Sequence, residues 1–586
     1  MKSTSQKKEY VGYSLKQRLL PVLLLAFSIP FTLIIAGPID LFASNMAEFH
    51  FVLGDFIGIS ILLFLAIFAV IVLILLPISK RAFDITYAVF AAISFLIVIQ
   101  GNYLNGNISL AGDGVGSVIK TSTYVINTIV WLVIIAGFVC GVIFFNKRDI
   151  LRTIMIILSI TIIGMQLITT IVSFLTNKDI FTPHNKKYEN GEYAMLSDEY
   201  LTEFGTENNI IYFVVDRFDY RYFEKALKNC PEIFDSLDGF TYYSDNVAMY
   251  SRTFPSVPYM LTGRENDFTT SRKEYFDSSY SESKFLKDLK DKGYDIGLYT
   301  DDYYAYIDAN AMAEYTSNLM VINGYKAPKG KLSAKMTGLS LYRYFPFVGK
   351  YAMRYFDSTT FNDGIKYFSD DELYNVDNKH VYNKLKDAEY SKNEEKSFKF
   401  IHISGCHMPN TYDENYEKID EDREWDEIVC MKQSFQIISM YIEEMKKAGV
   451  YENATIIITG DHPSPIDDSM DIMDTNQVRI TSLFVKRSGD NWKADIKGHT
   501  SDNPVHQGQI WAEIMDSEGI YQYNENETDR YKIPLRVKTT SPRTVYFERT
   551  FQGKFELIEY EIKGSAHNFA NWRRVGSNVF NGSLYN

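Results

Sequence analysis

The sequence predicts a bundle of about five transmembrane helices followed by an α/β domain whose mostly parallel central sheet is covered by helices on both faces. The first observation is a series of long apolar segments within residues 1–176 of the 586-residue chain. The second is the alternation of β-branched runs with amphipathic segments after residue 205, which is typical of a parallel sheet. The third is that two of these runs end on acidic residues, where α/β enzymes carry their chemistry.

The five apolar segments have close to the roughly 20 residues that a helix needs to cross a bilayer. The first contains Pro30 and Gly37, which membrane helices tolerate, and the third is the shortest, with Asp84 near its start. A cleavable signal peptide is a poor alternative, because four more hydrophobic segments follow the first. The predicted spans are about 19–37, 56–78, 82–99, 124–145 and 153–175.

Lys and Arg lie on one side of this predicted bundle. They cluster at the N-terminus and in the loops after the second and fourth segments, whereas loop 38–55 has none and loop 100–123 has only Lys120. Positive charge marks the cytoplasmic side of membrane proteins. We therefore expect a multi-pass protein with its N-terminus in the cytoplasm and residues 177–586 outside.

The predicted organisation is a transmembrane domain at 1–176, a linker at 177–205, a catalytic-type domain at 206–520 and a β-rich extension at 521–586. Hydrophobic periodicity predicts the main elements of the third part. The predicted strands are 210–215, 294–300, 399–404, 454–459 and 478–486. The predicted helices are 281–292, 432–447 and about 504–517.

Composition excludes two classes of function. The net charge of −13, with no basic stripe, argues against nucleic acid as a partner. The four cysteines are too few and too scattered for a disulfide framework or a zinc knuckle.

Three separated stretches predict one metal-dependent site. Asp216 follows the apolar strand 210–215, and Asp461 with His462 follows the strand that ends at Thr459. A carboxylate directly after a buried strand is costly unless it is paired or bound to a metal. Between them Thr253 precedes Phe-Pro on a predicted turn before a helix, where a metal-activated hydroxyl could act as a nucleophile. Helix N-capping is the structural alternative for both Asp216 and Thr253.

These residues resemble motifs of the alkaline phosphatase–sulfatase superfamily over about 205–520. The segment Thr253–Met260, as Thr-x-x-Ser-Val-Pro-x-Met, is similar to the nucleophile segment of phosphoethanolamine transferases, and Asp461-His462 to an Asp-His-Gly motif. Pro463 stands in place of that Gly, and Val257 in place of the Arg of the sulfatase signature. The membrane plan resembles that of the lipoteichoic acid synthase and phosphoethanolamine transferase branches.

The resemblance implies a set of site residues. Asp216, Thr253, Asp461 and His462 would be the metal ligands, and Thr253 the nucleophile. The stretch ending in His407-Met-Pro resembles a loop whose histidine contacts the substrate phosphate.

Other residues are matched less specifically. His506, with His499 as a rival, resembles a histidine that returns to the site, and Arg252 could hold anionic oxygens. His402 alternates with apolar neighbours in its strand, which predicts a core histidine.

The function implied by the resemblance is a transferase of a bacterial cell membrane. It would move a phosphoglycerol- or phosphoethanolamine-type head group from a phospholipid through phosphothreonine to an envelope glycan or lipid-linked acceptor. Asp, Thr and His ligands favour zinc or manganese as the divalent cation, with a second ion left open. The alternatives are a phosphodiesterase or sulfatase-like hydrolase of the same fold, and a non-catalytic scaffold that binds envelope polymers.

Overall fold

The computed structural model forms two compact units that interleave along the chain. One comprises Met1–His184 and Lys326–Tyr367, and the other comprises Asn185–Tyr325 and Phe368–Asn586. The structure describes residues 14–44, 46, 49, 51–105, 121–144, 148–178, 180–181, 193–270, 272–305, 312–322, 329–353, 373–408, 410–419, 425–467, 470–551 and 554–580. Much of the predicted linker, and most of the loop 100–123, lie outside these ranges.

The first unit contains five helices that are long and apolar enough to span a membrane, which confirms the predicted plan. Large apolar side chains remain exposed on them; Leu73 and Leu132, for example, are 72% and 61% exposed. Such surfaces are suited to lipid rather than water. The helices are α1 (Leu15–Ser44), α2 (Ile57–Leu75), α3 (Lys80–Ile99), α4 (Thr121–Phe144) and α5 (Arg148–Thr176).

The remaining helices and the strands follow in chain order. The helices are α6 (Tyr220–Asn229), α7 (Thr253–Thr262), α8 (Arg272–Ser281), α9 (Lys284–Asp291), α10 (Asp302–Ala305), α11 (Lys329–Tyr344), α12 (Phe347–Met353), α13 (Asn378–Lys386), α14 (Glu427–Ala448) and α15 (Gln509–Ser517). The strands are β1 (Tyr193–Leu196), β2 (Glu203–Gly205), β3 (Asn209–Val215), β4 (Phe240–Val247), β5 (Tyr294–Tyr299), β6 (Leu319–Ile322), β7 (Ser391–Asn393), β8 (Lys396–Ile403), β9 (Thr455–Thr459), β10 (Thr481–Lys486), β11 (Thr500–His506), β12 (Arg543–Phe551), β13 (Lys554–Ile562) and β14 (Trp572–Phe580).

The second unit is built on a mostly parallel sheet, as predicted. Its seven strands lie in the order β11-β4-β10-β9-β3-β8-β5, and only β10 runs antiparallel to both of its neighbours. Every residue of β3 is buried, as expected for a central strand covered on both faces. One apolar cluster contains Val214 and Ile457, and a second contains Phe213 and Ile458, so alternate residues of these strands enter different cores.

Two features of this unit were not predicted correctly or at all. The predicted helix at 504–517 begins only at Gln509, because Pro504–His506 continue β11 and pair with Asp245–Val247 of β4. Strand β4 itself was not predicted. The C-terminal residues form the three-stranded antiparallel sheet β12-β13-β14.

The helices α11 and α12 belong to the first unit, although their sequence lies inside the predicted segment 206–520. We call Lys326–Tyr367, which joins the second unit at both ends, the insert. Leu332, Met336 and Tyr344 of α11 share an apolar cluster with α1 residues. A Cβ atom on Gly37 of α1 would lie 2.1 Å from Ser340 Oγ, so the absence of a side chain permits this close packing.

Candidate active site

The carboxyl ends of three neighbouring strands bring the predicted residues together. Strands β8 and β9 flank β3 in parallel, with Val214 opposite both His402 and Thr459. Asp216 follows β3 directly, and Asp461 lies two residues after β9. Because parallel strands end at the same edge of the sheet, both carboxylates lie at that edge, where α/β enzymes bind their substrates.

Thr253 begins α7 and points its hydroxyl at this cluster. Its Oγ1 lies 3.3 Å from Asp216 Oδ2 and 3.3 Å from His462 Nε2. Thr253 is only 9% exposed, so the hydroxyl lies in a largely desolvated position. An oxygen between a carboxylate and an imidazole has the surroundings that a nucleophile requires.

The two carboxylates carry an unfavourable buried charge. Burial, and then the neighbouring Asp461, raise the pKa of Asp216 well above its usual value. Burial also raises the pKa of Asp461. Two neighbouring carboxyl groups that are buried from solvent are stabilised either by sharing a proton or by a cation bound between them.

The donor atoms fit a metal ion. One carboxylate oxygen of Asp216, one of Asp461 and His402 Nε2 are buried without a hydrogen-bond partner among the described residues. Ligand atoms of these three residues lie within 4.8 Å of one another. His402, which was predicted to be a core histidine, is buried in β8, and its Nε2 faces Asp216 Oδ2 at 3.9 Å, so it is a further candidate ligand.

His462 is oriented to present a lone pair to the same position. Its Nδ1 donates to the carbonyl of Pro463 at 2.7 Å, which leaves Nε2 as the acceptor nitrogen. This Nε2 lies 3.6 Å from Asp216 Oδ1 and 3.6 Å from Asp461 Oδ2. Burial lowers the pKa of His462 well below its usual value, so the ring is neutral, as a ligand must be. The structure thus brings together all four predicted ligands, whose role as ligands stays a prediction.

Arg217 is a charged residue of the site that the sequence did not reveal. One terminal nitrogen contacts His407 Nε2 at 3.2 Å, and its backbone N–H donates to Asp461 Oδ1 at 3.1 Å. Its Nε has no hydrogen-bond partner in the described part of the chain, although Arg217 is 5% exposed. An available guanidinium donor beside the metal cluster is suited to an anionic oxygen. A basic residue next to the predicted ligand Asp216 was the signal available in the sequence.

A tight loop after β8 positions His407. Gly405 has φ +52°, and a Cβ there would lie 2.6 Å from Val215 and 2.8 Å from the backbone nitrogen of Asp216. Only glycine accepts this close approach without strain. Burial and the Arg217 charge lower the pKa of His407 well below its usual value, so this ring is neutral and accepts a hydrogen bond from Arg217.

The structure gives His506 and Arg252 different settings. His506 Nδ1 accepts from the backbone of Gly508 at 3.0 Å, and its Nε2 donates to the carbonyl of Thr544 at 3.1 Å. Both ring nitrogens are thus engaged with backbone, and we leave His506 out of the site. Arg252 precedes Thr253, and its Nε lies 3.5 Å from Glu548.

Gln507, the residue after His506, contacts the site through its side chain. Its Nε2 donates to the carbonyl of Asp461 at 3.0 Å and, at 3.3 Å, to that of Gly460. The end of β11 therefore supports the loop that carries Asp461 and His462.

The chain combines five helices that are long and apolar enough to span a membrane with an α/β unit of an enzyme type, whose buried Asp/His cluster could bind a metal. A family model described as Sulfatase matches residues 208–520, more than half of the chain. The protein therefore belongs to the sulfatase family. A sequence comparison with curated proteins finds no match.

Several solved structures resemble the chain at low sequence identity. A Vibrio parahaemolyticus protein of the alkaline phosphatase superfamily is 10% identical, with 66% of this chain and 85% of that chain covered and a TM-score of 0.36. The lipoteichoic acid synthase LtaP from Listeria monocytogenes is 10% identical, with 68% of this chain and 89% of that chain covered and a TM-score of 0.33. The C-terminal periplasmic domain of EcEptC from Escherichia coli is 11% identical, with 63% of this chain and 92% of that chain covered and a TM-score of 0.32. Similarities of this size identify no substrate.

We expect Arg217→Lys to lower kcat/KM by about tenfold to a hundredfold, the range expected when a charge-assisted hydrogen bond to a substrate oxygen is lost. Lysine keeps the charge but lacks the planar guanidinium group, which can contact His407 and an anionic substrate oxygen at the same time. Arg264→Lys is the matched control, because Arg264 pairs with Glu282 at 2.5 Å on the surface. Equal kcat/KM values for the two variants would remove Arg217 from the substrate site.

Proposed function

We propose that the protein transfers a phospho-head group, of the phosphoglycerol or phosphoethanolamine type, from a phospholipid to an envelope glycan or lipid-linked acceptor. The observation that carries this proposal is the Thr253 hydroxyl, which lies 3.3 Å from both Asp216 and His462. The buried acid pair next to it has the composition of a metal site. Zinc or manganese suits these ligands best.

The residues divide the work of the first half-reaction. Asp216, Asp461, His462 and His402 would hold the cation, which when bound lowers the pKa of the Thr253 hydroxyl and offsets charge on the phosphoryl oxygens. Thr253 Oγ1 attacks the phosphorus of the donor, and the bond from phosphorus to the lipid glycerol oxygen breaks. Diacylglycerol leaves with one proton, and the head group remains esterified to Thr253.

The second half-reaction uses the same groups. An acceptor hydroxyl attacks the phosphothreonine, the phosphorus–Oγ1 bond breaks, and Thr253 regains its proton. Arg217 would hold a non-bridging phosphoryl oxygen throughout, because its free donor faces the site. Water in place of the acceptor gives a phosphodiesterase, so the acceptor alone separates the transferase from the hydrolase.

The membrane unit favours a lipid donor over a soluble one. Five helices long enough to span a bilayer keep the enzyme at the surface where phospholipids are found. A sulfatase that depends on formylglycine is disfavoured, because the secondary hydroxyl of Thr253 cannot be oxidised to an aldehyde. A non-catalytic scaffold would not need a hydroxyl that points at a cluster of potential metal ligands, so the position of Thr253 does not support that alternative.

A panel of substrates tests this proposal on the full chain in lipid nanodiscs with added zinc or manganese. We expect release of diacylglycerol from phosphatidylglycerol or phosphatidylethanolamine, and no sulfate release from an aryl sulfate. Release of sulfate without release of diacylglycerol would contradict the proposal and indicate a sulfatase. No turnover of either compound, in protein that binds no metal, would support the scaffold.

The lysine and arginine asymmetry supports an orientation with the N-terminus in the cytoplasm and the second unit outside. Protease added to intact spheroplasts should then separate the second unit from the N-terminal spanning helices and produce a fragment of roughly 45 kDa on denaturing gels, scaled from 67.5 kDa for the whole chain. Because the insert belongs to the membrane unit, this fragment should still sediment with the membranes before denaturation. Complete protection of the second unit in intact spheroplasts, with cleavage after lysis, would reverse the orientation.

A further inference from the structure

A polar cluster joins the insert to the transmembrane helices. We call it the insert cluster and define it by its residues Asp40, Gln100, Asn105, Asn127, Arg343 and Lys350. Lys350 Nζ donates to Asn105 Oδ1 at 2.5 Å, and Asn105 Nδ2 donates to the carbonyl of Arg343 at 2.9 Å. Arg343 also pairs with Asp40 at 2.5 Å. The cluster therefore connects α12 and α11 of the insert with α1 and the end of α3.

A second set of bonds extends the insert cluster to α4. Gln100 Nε2 donates to Asn105 Oδ1 at 2.8 Å, and Gln100 Oε1 accepts from Asn127 at 2.8 Å. Trp131 Nε1 donates to the same oxygen at 2.9 Å. The backbone N–H of Phe347 at the start of α12 donates to Asn127 Oδ1 at 3.0 Å. The neutral groups of the cluster thus satisfy one another.

The charges of the insert cluster do not balance. It holds two cations and one carboxylate, and that carboxylate is engaged by Arg343. Lys350 is 1% exposed, and its neighbours are neutral oxygens and the rings of Tyr342 and Phe347 at 5.2 and 5.0 Å. No carboxylate of the described residues forms an ion pair with it. A buried ammonium without an anion is costly, and burial accordingly lowers the pKa of Lys350 to about 7.

The predicted topology places the insert cluster near the outer ends of the spanning helices, where lipid head groups are expected. Its membrane residues belong to the last turns of α1 and the end of α3, and to the first turns of α4. In the predicted topology all three positions face the same side of the bilayer. Tyr103 and Tyr124 occupy these same ends, and such aromatic residues mark the boundary between hydrocarbon and head groups.

We propose that the insert cluster binds the phosphate group of an anionic phospholipid, as a second lipid site apart from Thr253. The phosphodiester monoanion would supply the missing counter-charge to Lys350. Among the described residues, Arg343 donates through Nε to the carbonyl of Gly101 and through one terminal nitrogen to Asp40, so its other terminal nitrogen has donors for a phosphate oxygen. This inference depends on the membrane placement of the chain and is independent of the reaction at Thr253.

The test measures lipid binding to the purified full chain by native mass spectrometry in detergent. Phosphatidylglycerol and phosphatidylcholine with identical acyl chains are added separately, and inorganic phosphate forms a third arm. We expect preferential retention of phosphatidylglycerol, with affinity at least about tenfold weaker in Lys350→Gln because a charge-assisted bond is lost. Lys350→Arg should restore binding, and Lys331→Gln, on the exposed start of α11, should leave it unchanged.

Several results would overturn the proposal. Equal retention of the two lipids would contradict it, and so would equal lipid affinity of the wild type and a folded Lys350→Gln variant. Displacement of bound lipid by inorganic phosphate, without any lipid preference, would assign the site to free phosphate. If Lys350→Gln does not fold, the proposal is tested on the wild-type protein by crosslinking with a photoreactive head-group analogue of phosphatidylglycerol. Crosslinks to α12 or the ends of α3 and α4 support the site, and crosslinks confined to other segments contradict it.

Discussion

Replacing Thr253 with alanine is expected to lower turnover on the order of a thousandfold or more, because the attacking oxygen is removed. Asp216, Asp461, His402 and His462 remain in place, so the variant should still bind the metal, although the predicted ligand Thr253 is lost. The variant also loses hydrogen bonds to Asp216 and His462. Stability should fall by only about 1 kcal/mol, the order expected when a hydrogen bond is lost. Steady-state rates and metal analysis on the same preparations measure both effects.

Two variants make the Thr253 result specific. Thr253→Ser keeps a hydroxyl at the same position and should retain part of the activity. Ser256→Ala removes the hydroxyl three residues further along α7, which lies 3.5 Å from the carbonyl of Tyr250 rather than in the cluster. It should turn over normally. A normal rate for Thr253→Ala would instead assign the attack to water or leave a binding role only.

Replacing Asp461 with asparagine is expected to abolish both metal binding and activity, since the cation loses one of its two carboxylates. Asparagine keeps an acceptor oxygen for the backbone N–H groups of Arg217 and His462, so the loop should keep its conformation. His462→Ala should lose metal and activity in the same way. Metal content by mass spectrometry and turnover on matched samples check this prediction.

Thermal unfolding separates loss of a ligand from loss of structure. In metal-free protein at neutral pH, Asp461→Asn should be more stable than wild type, because one of two buried, mutually repelling carboxylates is gone. Added zinc or manganese should stabilise the wild type only, by about 2.7 kcal/mol at a hundred times its dissociation constant. His506→Gln is the histidine control and should keep the metal. Stoichiometric metal in Asp461→Asn would place the cation elsewhere.

The sequence predicted the features of the fold and site that local patterns record. Apolar β-branched runs predict β3 and β9, and an acidic residue one or two positions after each strand marks the edge where a ligand can bind. The order of the motifs then placed Thr253 with Asp216 and His462. These residues meet because parallel strands end together, a rule that needs no knowledge of distant contacts.

The remaining features depend on contacts between distant segments. His402 has the periodicity of a core residue, and only the pairing of β8 beside β3 brings its Nε2 towards Asp216. His506 was predicted to begin a helix, because the neighbouring sequence does not show that β11 pairs with β4. The insert gave no signal of its place in the membrane unit, since α11 is amphipathic and its apolar residues suit a soluble core equally well.

The most direct measurement is the mass of the protein after incubation with phosphatidylglycerol or phosphatidylethanolamine and metal, without an acceptor. We predict a covalent adduct with the mass of the phospho-head group, located by fragmentation on Thr253, together with one equivalent of diacylglycerol. Thr253→Ala should form neither. Diacylglycerol release with no adduct on the wild type, or an adduct on another residue such as Ser251 or Ser256, would contradict transfer through Thr253.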